Sequence, residues 1–266
     1  MTNTAMPDAT DSELVRERHG AVLLVRLNRP AARNALTQSL FTALGTAMLD
    51  AESDPGIRAM VVTGTGDRAF CSGMDLQSFA DGEEIGTVVD EPAACYFRAL
   101  RGELTVPLIG AANGTAIGGG LELLLACDVV VASETARFGF PEVKRGLFPV
   151  AGGTFLGTRI PTCVALEMLL TGDPVDAARA YEIGMVNSVV PQAEVVPAAL
   201  ELAGRIAANA PLGLAAVKEL TWLGVLDGPR ARARLEELSD SVFASEDAKE
   251  GAMAFVERRQ PVWKGR

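Results

Sequence analysis

The sequence predicts an α/β core followed by a wholly helical C-terminal quarter. Two observations carry that expectation. Up to about residue 190, short apolar runs rich in β-branched residues alternate with segments of helical period, the pattern of a layered fold with crossover connections. After that point four consecutive segments keep the helical period with no strand between them. The length of 266 residues fits one large domain or a core with an appended subdomain.

Taken in order, AVLLVRLN (21–28) reads as a strand, with RERHG before it as its approach and His19 at the surface. NALTQSLFTALGTAMLDAES follows as an amphipathic helix, N-capped by Thr37 and stopped at Asp54-Pro55-Gly56. IRAMVVTG (57–64) is apolar throughout and reads as a fully buried strand. VPLIGAANG (106–114) is the next strand, and a glycine-rich turn opens the helix LELLLAC. DVVVAS (128–133) and ARFGF continue the strands, and a Pro/Gly-rich loop leads to helices in CVALEMLLTG and DAARAYEIG and to the strand MVNSVV. The terminal helices are AEVVPAALELAGRIAANA, PLGLAAVKELTWLGVL, PRARARLEELSDSVFAS and EDAKEGAMAFVERRQ. The expected division is a disordered tail over 1–12, an α/β core with the active site over 13–200, and a helical oligomerisation region over 201–266.

Composition excludes several functions. No apolar run approaches the ~18 residues a membrane span requires. The N-terminal stretch MTNTAMPDATDSE has neither a basic nor an apolar region of a signal peptide, so a cytoplasmic location is expected. A net charge of −10 argues against nucleic-acid and anionic-membrane partners, while leaving room for a small anionic ligand held by a few Arg and Lys side chains. Cys71, Cys95, Cys127 and Cys163 have no paired or metal-ligand spacing and read as free buried thiols. With His19 the single histidine, no zinc cluster is expected, and a Ser-His-Asp triad would have to use it. GTGDRA (64–69) matches a dinucleotide fingerprint, but no helical period begins inside its glycines.

Three segments carry chemistry. AFCSGMDL (69–76) contains a tight Ser-Gly-Met-Asp turn, AIGGGLELL (116–124) places Glu122 inside an apolar helix, and FGFPEVKRGLFPVAGGT (138–154) places Glu142 directly after a proline. Glycines at a helix N-terminus let the backbone approach a ligand where free N–H groups favour negative charge. A second N–H from the Ser72-Gly73-Met74 turn would complete an oxyanion hole, and two nearby carboxylates would form an acid–base pair with one pKa raised. Each feature also has a structural reading. Glu122 could serve the helix dipole, Glu142 could be an ordinary loop carboxylate, and Gly118-Gly119-Gly120 could be close packing.

With these residues laid out, the sequence resembles the enoyl-CoA hydratase/isomerase (crotonase) superfamily. The likeness runs from about residue 20 to the C-terminus through LNRPAARNAL, AFCSGMDL, NGTAIGGGLELLLACD, FGFPEVKRGLFPVAGGT, LTGDPVDAARAYEIGMVNSVV and EGAMAFVERRQPVW. The resemblance implies the crotonase (ClpP-like) spiral of ββα units with a helical C-terminal trimerisation region, assembled as a trimer or a dimer of trimers. It implies acyl-CoA thioester substrates, coenzyme A being part of the substrate, and no metal or other cofactor. By position it assigns the backbone N–H groups of Met74 and Gly119 to the oxyanion hole. Arg33, Ala35, Ser72 and Leu76 fall on the CoA-binding positions, with Phe255 and Arg258 reaching the CoA of a neighbouring subunit. Hydratases of the family carry both glutamates, so Glu122 is expected to activate water and Glu142 to protonate the α-carbon, giving syn hydration of a 2-trans-enoyl-CoA to a 3-hydroxyacyl-CoA. Isomerisation of an enoyl-CoA, dehydration of a specialised hydroxyacyl-CoA, or a non-catalytic role are the alternatives. Val150 stands where the family has glycine and Met74 where a small residue is usual, so both are expected to narrow the acyl pocket.

Overall fold

A computed structural model describes residues 12–82 and 86–266. The chain opens with a hairpin. β1 (Leu14–His19) runs antiparallel to β2 (Val22–Leu27), so His19 closes a strand rather than introducing one, and the residues expected as an approach are themselves paired. The expected tail lies outside the described residues except for Ser12, whose carbonyl accepts from Asn28 Nδ2 at 3.0 Å. α1 (Gln38–Ser53) begins where Thr37 accepts the Leu40 N–H, the predicted cap.

β3 (Ala59–Gly64) is buried at every position. β4 (Ala69–Cys71) follows it, then α2 (Leu76–Ala80) and α3 (Glu91–Leu100), three elements absent from the sequence reading. No helix begins within Gly64–Ala69, so the apparent dinucleotide fingerprint is a strand-to-strand turn. β5 (Leu108–Ala112), β6 (Thr115–Ile117) and α4 (Gly119–Leu125) form one unit; β7 (Val129–Ser133) and β8 (Arg137–Gly139) begin the next. α5 (Thr162–Thr171), β9 (Val175–Asp176), α6 (Ala177–Glu182) and β10 (Ser188–Val190) lead to four helices: α7 (Val195–Ala207), α8 (Pro211–Leu226), α9 (Gly228–Ala244) and α10 (Glu246–Glu257).

From β3 to β8 consecutive strands alternate between two sheets. One has the order β1-β2-β3-β5-β7-β10, parallel from β2 onward; the other has the order β4-β6-β8-β9, with β9 antiparallel. Each of the pairs β3/β4, β5/β6 and β7/β8 puts one strand in each sheet before the chain returns through helix, which is the ββα spiral of the crotonase fold.

The period of two along each strand decides what packs where. Leu23, Val25, Met60, Val62 and Leu108 face the main core, while Val22, Leu24, Ala59, Val61 and Ile109 face the other way. α7 covers that second face with Val195, Ala199, Ala203 and Ala207, a stripe repeating every four residues whose small side chains let helix and sheet approach closely. The boundary expected at residue 200 thus falls inside a helix that belongs to the core by packing.

α8 is tied to the core by a polar cluster. Asp128 accepts from Lys218 Nζ at 2.9 Å, Trp222 Nε1 at 2.9 Å and the Leu108 N–H at 2.7 Å. Lys218 also donates to the Val106 carbonyl at 2.9 Å, and the Arg159 guanidinium stacks 4.9 Å from the Trp222 ring centre. Cys71, Cys95 and Cys127 are buried free thiols, but Cys163, expected to be buried, is exposed in the first turn of α5. There it lies beside the other exposed residues of the helix's outer face.

Because Lys218 and Asp128 are withdrawn from water, removing one partner strands the other charge. Lys218→Met should destabilise the fold by about 3 kcal/mol, the lower end for a broken buried pair. Chemical denaturation measures that loss, and limited proteolysis should show new cleavage in α8–α10 ahead of cleavage in the sheets. Equal stability with an unchanged proteolytic pattern would mean that the cluster does not hold α8.

Candidate active site

The site is built where the β4–α2 turn meets the β6–α4 turn. Gly73 has φ +91, and a Cβ on it would stand 2.9 Å from the Ile117 carbonyl oxygen and 3.2 Å from the Gly119 nitrogen. A side chain there would be strained and would push the two turns apart. Gly118, the N-cap of α4, has φ +56, and a Cβ on it would stand 3.0 Å from Glu142 Oε1. Gly120 packs α4 against the β4 carbonyl of Cys71. The triple glycine is therefore a close-packing device, and that packing brings the two turns and the Glu142 carboxylate together.

These contacts expose two backbone donors. The Met74 nitrogen lies 3.7 Å from the Cβ position of Gly119, and among the described residues neither the Met74 N–H nor the Gly119 N–H has a backbone or side-chain acceptor. Both neighbours of the Met74 amide are fixed by Leu36, which donates to the Gly73 carbonyl at 2.8 Å and accepts from the Asp75 N–H at 3.0 Å.

The two glutamates flank the donors in unlike states. Glu122, on the first turn of α4, is buried among Leu121, Leu123 and Leu124. Its Oε1 accepts from the Ala151 N–H at 2.7 Å and the Gly153 N–H at 2.9 Å, while Oε2 lies 3.8 Å from the Cβ position of Gly119. Burial raises its pKa above the ordinary glutamate value, and the Gly153 and Ala151 donors pull in the opposite direction. Glu142 sits in the 3-10 turn Pro141–Arg145, and its Oε2 is buried without a hydrogen-bond partner among the described residues. Burial raises this carboxyl too, the charge of Glu122 adds to the rise, and its own N–H and Arg145 oppose it. One carboxylate is satisfied by peptides on one oxygen; the other keeps an oxygen free.

Glu122 opens onto a cavity of about 470 Å³. Phe97 and Leu100 of α3, Val150 and Phe155 of the loop before α5, and Trp222 and Leu226 of α8 supply much of its apolar wall. A slightly smaller cavity of about 440 Å³, lined by Asp128 and Lys218, shares Arg159 and Trp222 with it; of the two carboxylates and two donors, only Glu122 lines the 470 Å³ cavity. Val150 lines this cavity, whereas Met74 is not among its lining residues.

Arg33, Ala35, Ser72 and Leu76 are brought together by backbone pairing beside the donors: the Ser72 N–H donates to the Arg33 carbonyl at 3.1 Å, and Leu36 bridges Met74. Phe255 and Arg258 are not brought there. Both are exposed at the end of α10, Phe255 to 86%, and neither lines the cavity. The residues missed in the sequence are the peptides of Ala151 and Gly153 and the walls from α3 and α8. For α3 a signal existed: Asp90 caps the helix by accepting the Ala93 N–H at 2.7 Å, and Pro92 sits in its first turn.

Comparisons with known proteins agree with this architecture. A family model described as enoyl-CoA hydratase/isomerase matches residues 17–266. A carnitinyl-CoA dehydratase from Salmonella enteritidis is 39% identical over 255 residues, 94% of this chain and 97% of that protein. An enoyl-CoA hydratase structure from Mycobacterium tuberculosis superposes with a TM-score of 0.88 at 40% identity, covering 96% of this chain and 99% of the other. A carnitinyl-CoA hydratase structure from Mycobacterium avium, 44% identical over the same shares, superposes with a TM-score of 0.75. Alternating strands in two sheets, paired donor turns and a match over nearly the whole sequence lead to one conclusion: the chain belongs to the enoyl-CoA hydratase/isomerase family.

Proposed function

We infer that the protein is an enoyl-CoA hydratase, adding water in syn fashion to a 2-trans-enoyl-CoA to give a 3-hydroxyacyl-CoA. The observation that carries this reading is the unlike pair of carboxylates beside two unbonded peptide N–H groups. The thioester carbonyl accepts from Met74 and Gly119, which stabilise negative charge as it grows on oxygen; one such donor is worth roughly 3 kcal/mol in the transition state. Glu122, ionised and anchored through Oε1, uses its other oxygen to take a proton from water as the hydroxyl adds to the β-carbon. Glu142, whose carboxyl is raised by burial and by the nearby charge, acts in its protonated form and delivers that proton to the α-carbon as the enolate collapses. The pair has then exchanged protonation states, and a proton must pass from Glu122 back to Glu142 before the next turnover. Coenzyme A is the handle of the substrate, and these steps call on no further cofactor.

The reverse reaction uses the same groups with their roles inverted. A specialised hydroxyacyl-CoA dehydratase is therefore the second reading, favoured by the name of the Salmonella relative, a carnitinyl-CoA dehydratase, while the M. avium relative is named a carnitinyl-CoA hydratase. Crotonyl-CoA hydration, followed as loss of enoyl thioester absorbance, separates a general hydratase from an enzyme confined to one specialised acyl group.

Exposed apolar side chains support assembly into a trimer or dimer of trimers: Phe148, Phe155, Leu170, Val217, Phe243, Phe255 and Val256 are each at least 64% exposed in the single chain. In that assembly Phe255 and Arg258 serve a neighbouring subunit's CoA. Removing residues 246–266 should yield smaller or aggregated particles by light scattering; an intact assembly that still binds CoA esters would withdraw both assignments.

Glu122→Gln and Glu142→Gln should each lower turnover at least about a hundredfold with little change in substrate binding, the usual contribution of a placed acid or base. The wild-type kcat/KM should be bell-shaped, with an acid limb above the ordinary glutamate range as Glu122 protonates and a basic limb where Glu142 loses its proton. Stability should follow the opposite course from a salt-bridged carboxylate. A carboxyl whose folded pKa is raised binds its proton more tightly in the folded state, so stability falls as pH climbs from about 4 through the raised value. Glu142→Gln should accordingly raise the melting temperature near neutral pH and leave it unchanged at about pH 4. Near-normal turnover in either variant removes that glutamate from the mechanism.

Val150→Gly should reorder the specificity constants of short, long and branched enoyl-CoA substrates by roughly ten- to a hundredfold: the side chain, 78% exposed in the single chain, is free to pack against a bound acyl group, and filling or emptying such a contact is worth about 1–3 kcal/mol. CoA affinity should hold steady. Parallel movement for all chain lengths would mean that Val150 does not touch the acyl group.

A further inference from the structure

The oxyanion donors are peptide groups, so what aims and polarises them must be sought behind them. The trans peptide is planar, with its C=O and N–H pointing in opposite directions. The peptide joining Gly73 to Met74 has its carbonyl held by the Leu36 N–H at 2.8 Å, which turns the Met74 N–H to the other side. The peptide that supplies the Leu36 N–H is in turn held at its own carbonyl, on Ala35, by Arg29 Nη1 at 2.7 Å. A guanidinium thus stands at the head of two peptide groups in series, and the far end of the series is the free Met74 donor.

Arg29 is itself firmly fixed. Its Nη1 lies 2.9 Å from Asp75 Oδ2 and its Nε 2.9 Å from Glu13 Oε1, with the Arg29 side chain 21% exposed. Asp75 directly follows Met74, and its other oxygen accepts from the Gln77 N–H at 3.2 Å at the start of α2. The loop between Arg29 and Leu36 is anchored from below by Asn34, fully buried, at φ +56. Its Oδ1 accepts from the Arg29 N–H at 3.0 Å, and its Nδ2 donates to the carbonyls of Ala69 at 2.9 Å and Thr65 at 3.1 Å. A non-glycine residue in that backbone region is held there by its surroundings, and here these bonds do the holding. The whole loop is a rigid mount for two peptides.

We propose that Arg29 is a positioning residue for the oxyanion hole, acting through the peptides 35–36 and 73–74 to orient and polarise the Met74 N–H. The inference rests on the reading of Met74 and Gly119 as the thioester-carbonyl donors. Its physical basis is that hydrogen bonds in a chain strengthen one another, most of all when the first donor is charged. Without Arg29 the Ala35 carbonyl loses its charged donor, the Leu36 N–H becomes a weaker donor to Gly73, and the Met74 N–H a weaker donor to the substrate. No atom of Arg29 need touch the thioester.

The test uses the full-length protein and butyryl-CoA isotopically labelled at its thioester carbonyl, a saturated probe that the proposed reaction leaves unchanged. Infrared difference spectra report how far binding lowers the carbonyl stretching frequency, and crotonyl-CoA hydration is measured in parallel. The wild type should lower the frequency, and Arg29→Gln should return it most of the way toward the free ligand. Turnover should fall about tenfold to a hundredfold, less than the 10²–10³ for outright loss of a donor, with KM within about twofold. Arg29→Lys, which keeps a charged donor but not the planar fork, should restore part of both. If Arg29→Gln does not fold, the comparison of Arg29→Lys with wild type decides: a smaller frequency shift supports the relay, and an identical shift with identical kcat overturns it. A lowered melting temperature with the wild-type carbonyl band and kcat would make Arg29 a purely structural residue and leave the hydratase reading standing. No frequency shift in the wild type would overturn both, because there would be no oxyanion hole for Arg29 to serve.

Discussion

Everything at the site follows from burying one carboxylate in an apolar helix. Glu122 stands on α4 with leucines on both sides in sequence, in surroundings where an unsatisfied charge would cost several kcal/mol. Its solvation is replaced by two peptide N–H groups, those of Ala151 and Gly153. That replacement has a structural consequence. The loop after Pro149 must fold over the start of α4 to bring both amides to one oxygen, and in doing so it places Val150 and Phe155 on the cavity wall. Satisfying the buried acid and shaping the cavity are the same event.

The second carboxylate gains its character by contrast. Glu142 lies on a short 3-10 turn with no pair of amides at its buried oxygen, and it feels the charge of its neighbour. Two identical side chains are thereby driven toward opposite duties in the proposed reaction, one accepting a proton from water and one giving a proton to carbon. The asymmetry resides in the backbone around them rather than in residue type. Gly118 lets the Glu142 carboxylate come close to the start of α4, because a Cβ at that position would stand 3.0 Å from Glu142 Oε1.

How much of this could be read from the sequence depended on the length of the signal. α1, α4 and α7–α10 carry a helical period or cap over enough residues to be placed, and β3, β5 and β7 are apolar runs bounded by turn residues. β4, β6 and β8 are three residues each, too short for a period of two to declare itself, and only β8 was marked, by its aromatic residues. β1 was obscured because LVRERH alternates imperfectly, its outward residues paired with Asp50, Asp54 and Glu17 instead of with the core. At the site, Glu122, Glu142 and the two turns were legible because glycine and acid in fixed order are local facts. The partners of Glu122, the walls from α3 and α8, and the docking of Lys218 on Asp128 join residues far apart in sequence. Exposure of Cys163 and of Phe255 is likewise a property of tertiary packing, since both lie on faces of α5 and α10 that the single chain leaves uncovered.

A site whose proposed charge-stabilising donors are both main-chain has a particular vulnerability. Proline apart, no substitution deletes the N–H of Met74 or Gly119, so tolerance at those positions is set chiefly by backbone conformation; the Met74 side chain is not among those that line the cavity. Sensitivity moves instead to residues that decide where the peptides point. Gly73 does so by admitting φ +91 against Ile117, and Leu36 by gripping the carbonyl on the opposite side of the Met74 peptide. The αL pair Arg33 and Asn34 does so by turning the chain toward that grip, with φ of 52 and 56. Of these positions only Arg33 is among the proposed CoA contacts, yet a small rotation of one peptide plane would swing its donor off the carbonyl oxygen. Hydrogen bonds weaken steeply with angle, and an oxyanion donor contributes only while its aim is held before the charge arrives. In the proposed site the buried asparagine and the arginine behind the turn are therefore as much a part of the catalytic geometry as the groups that face the ligand.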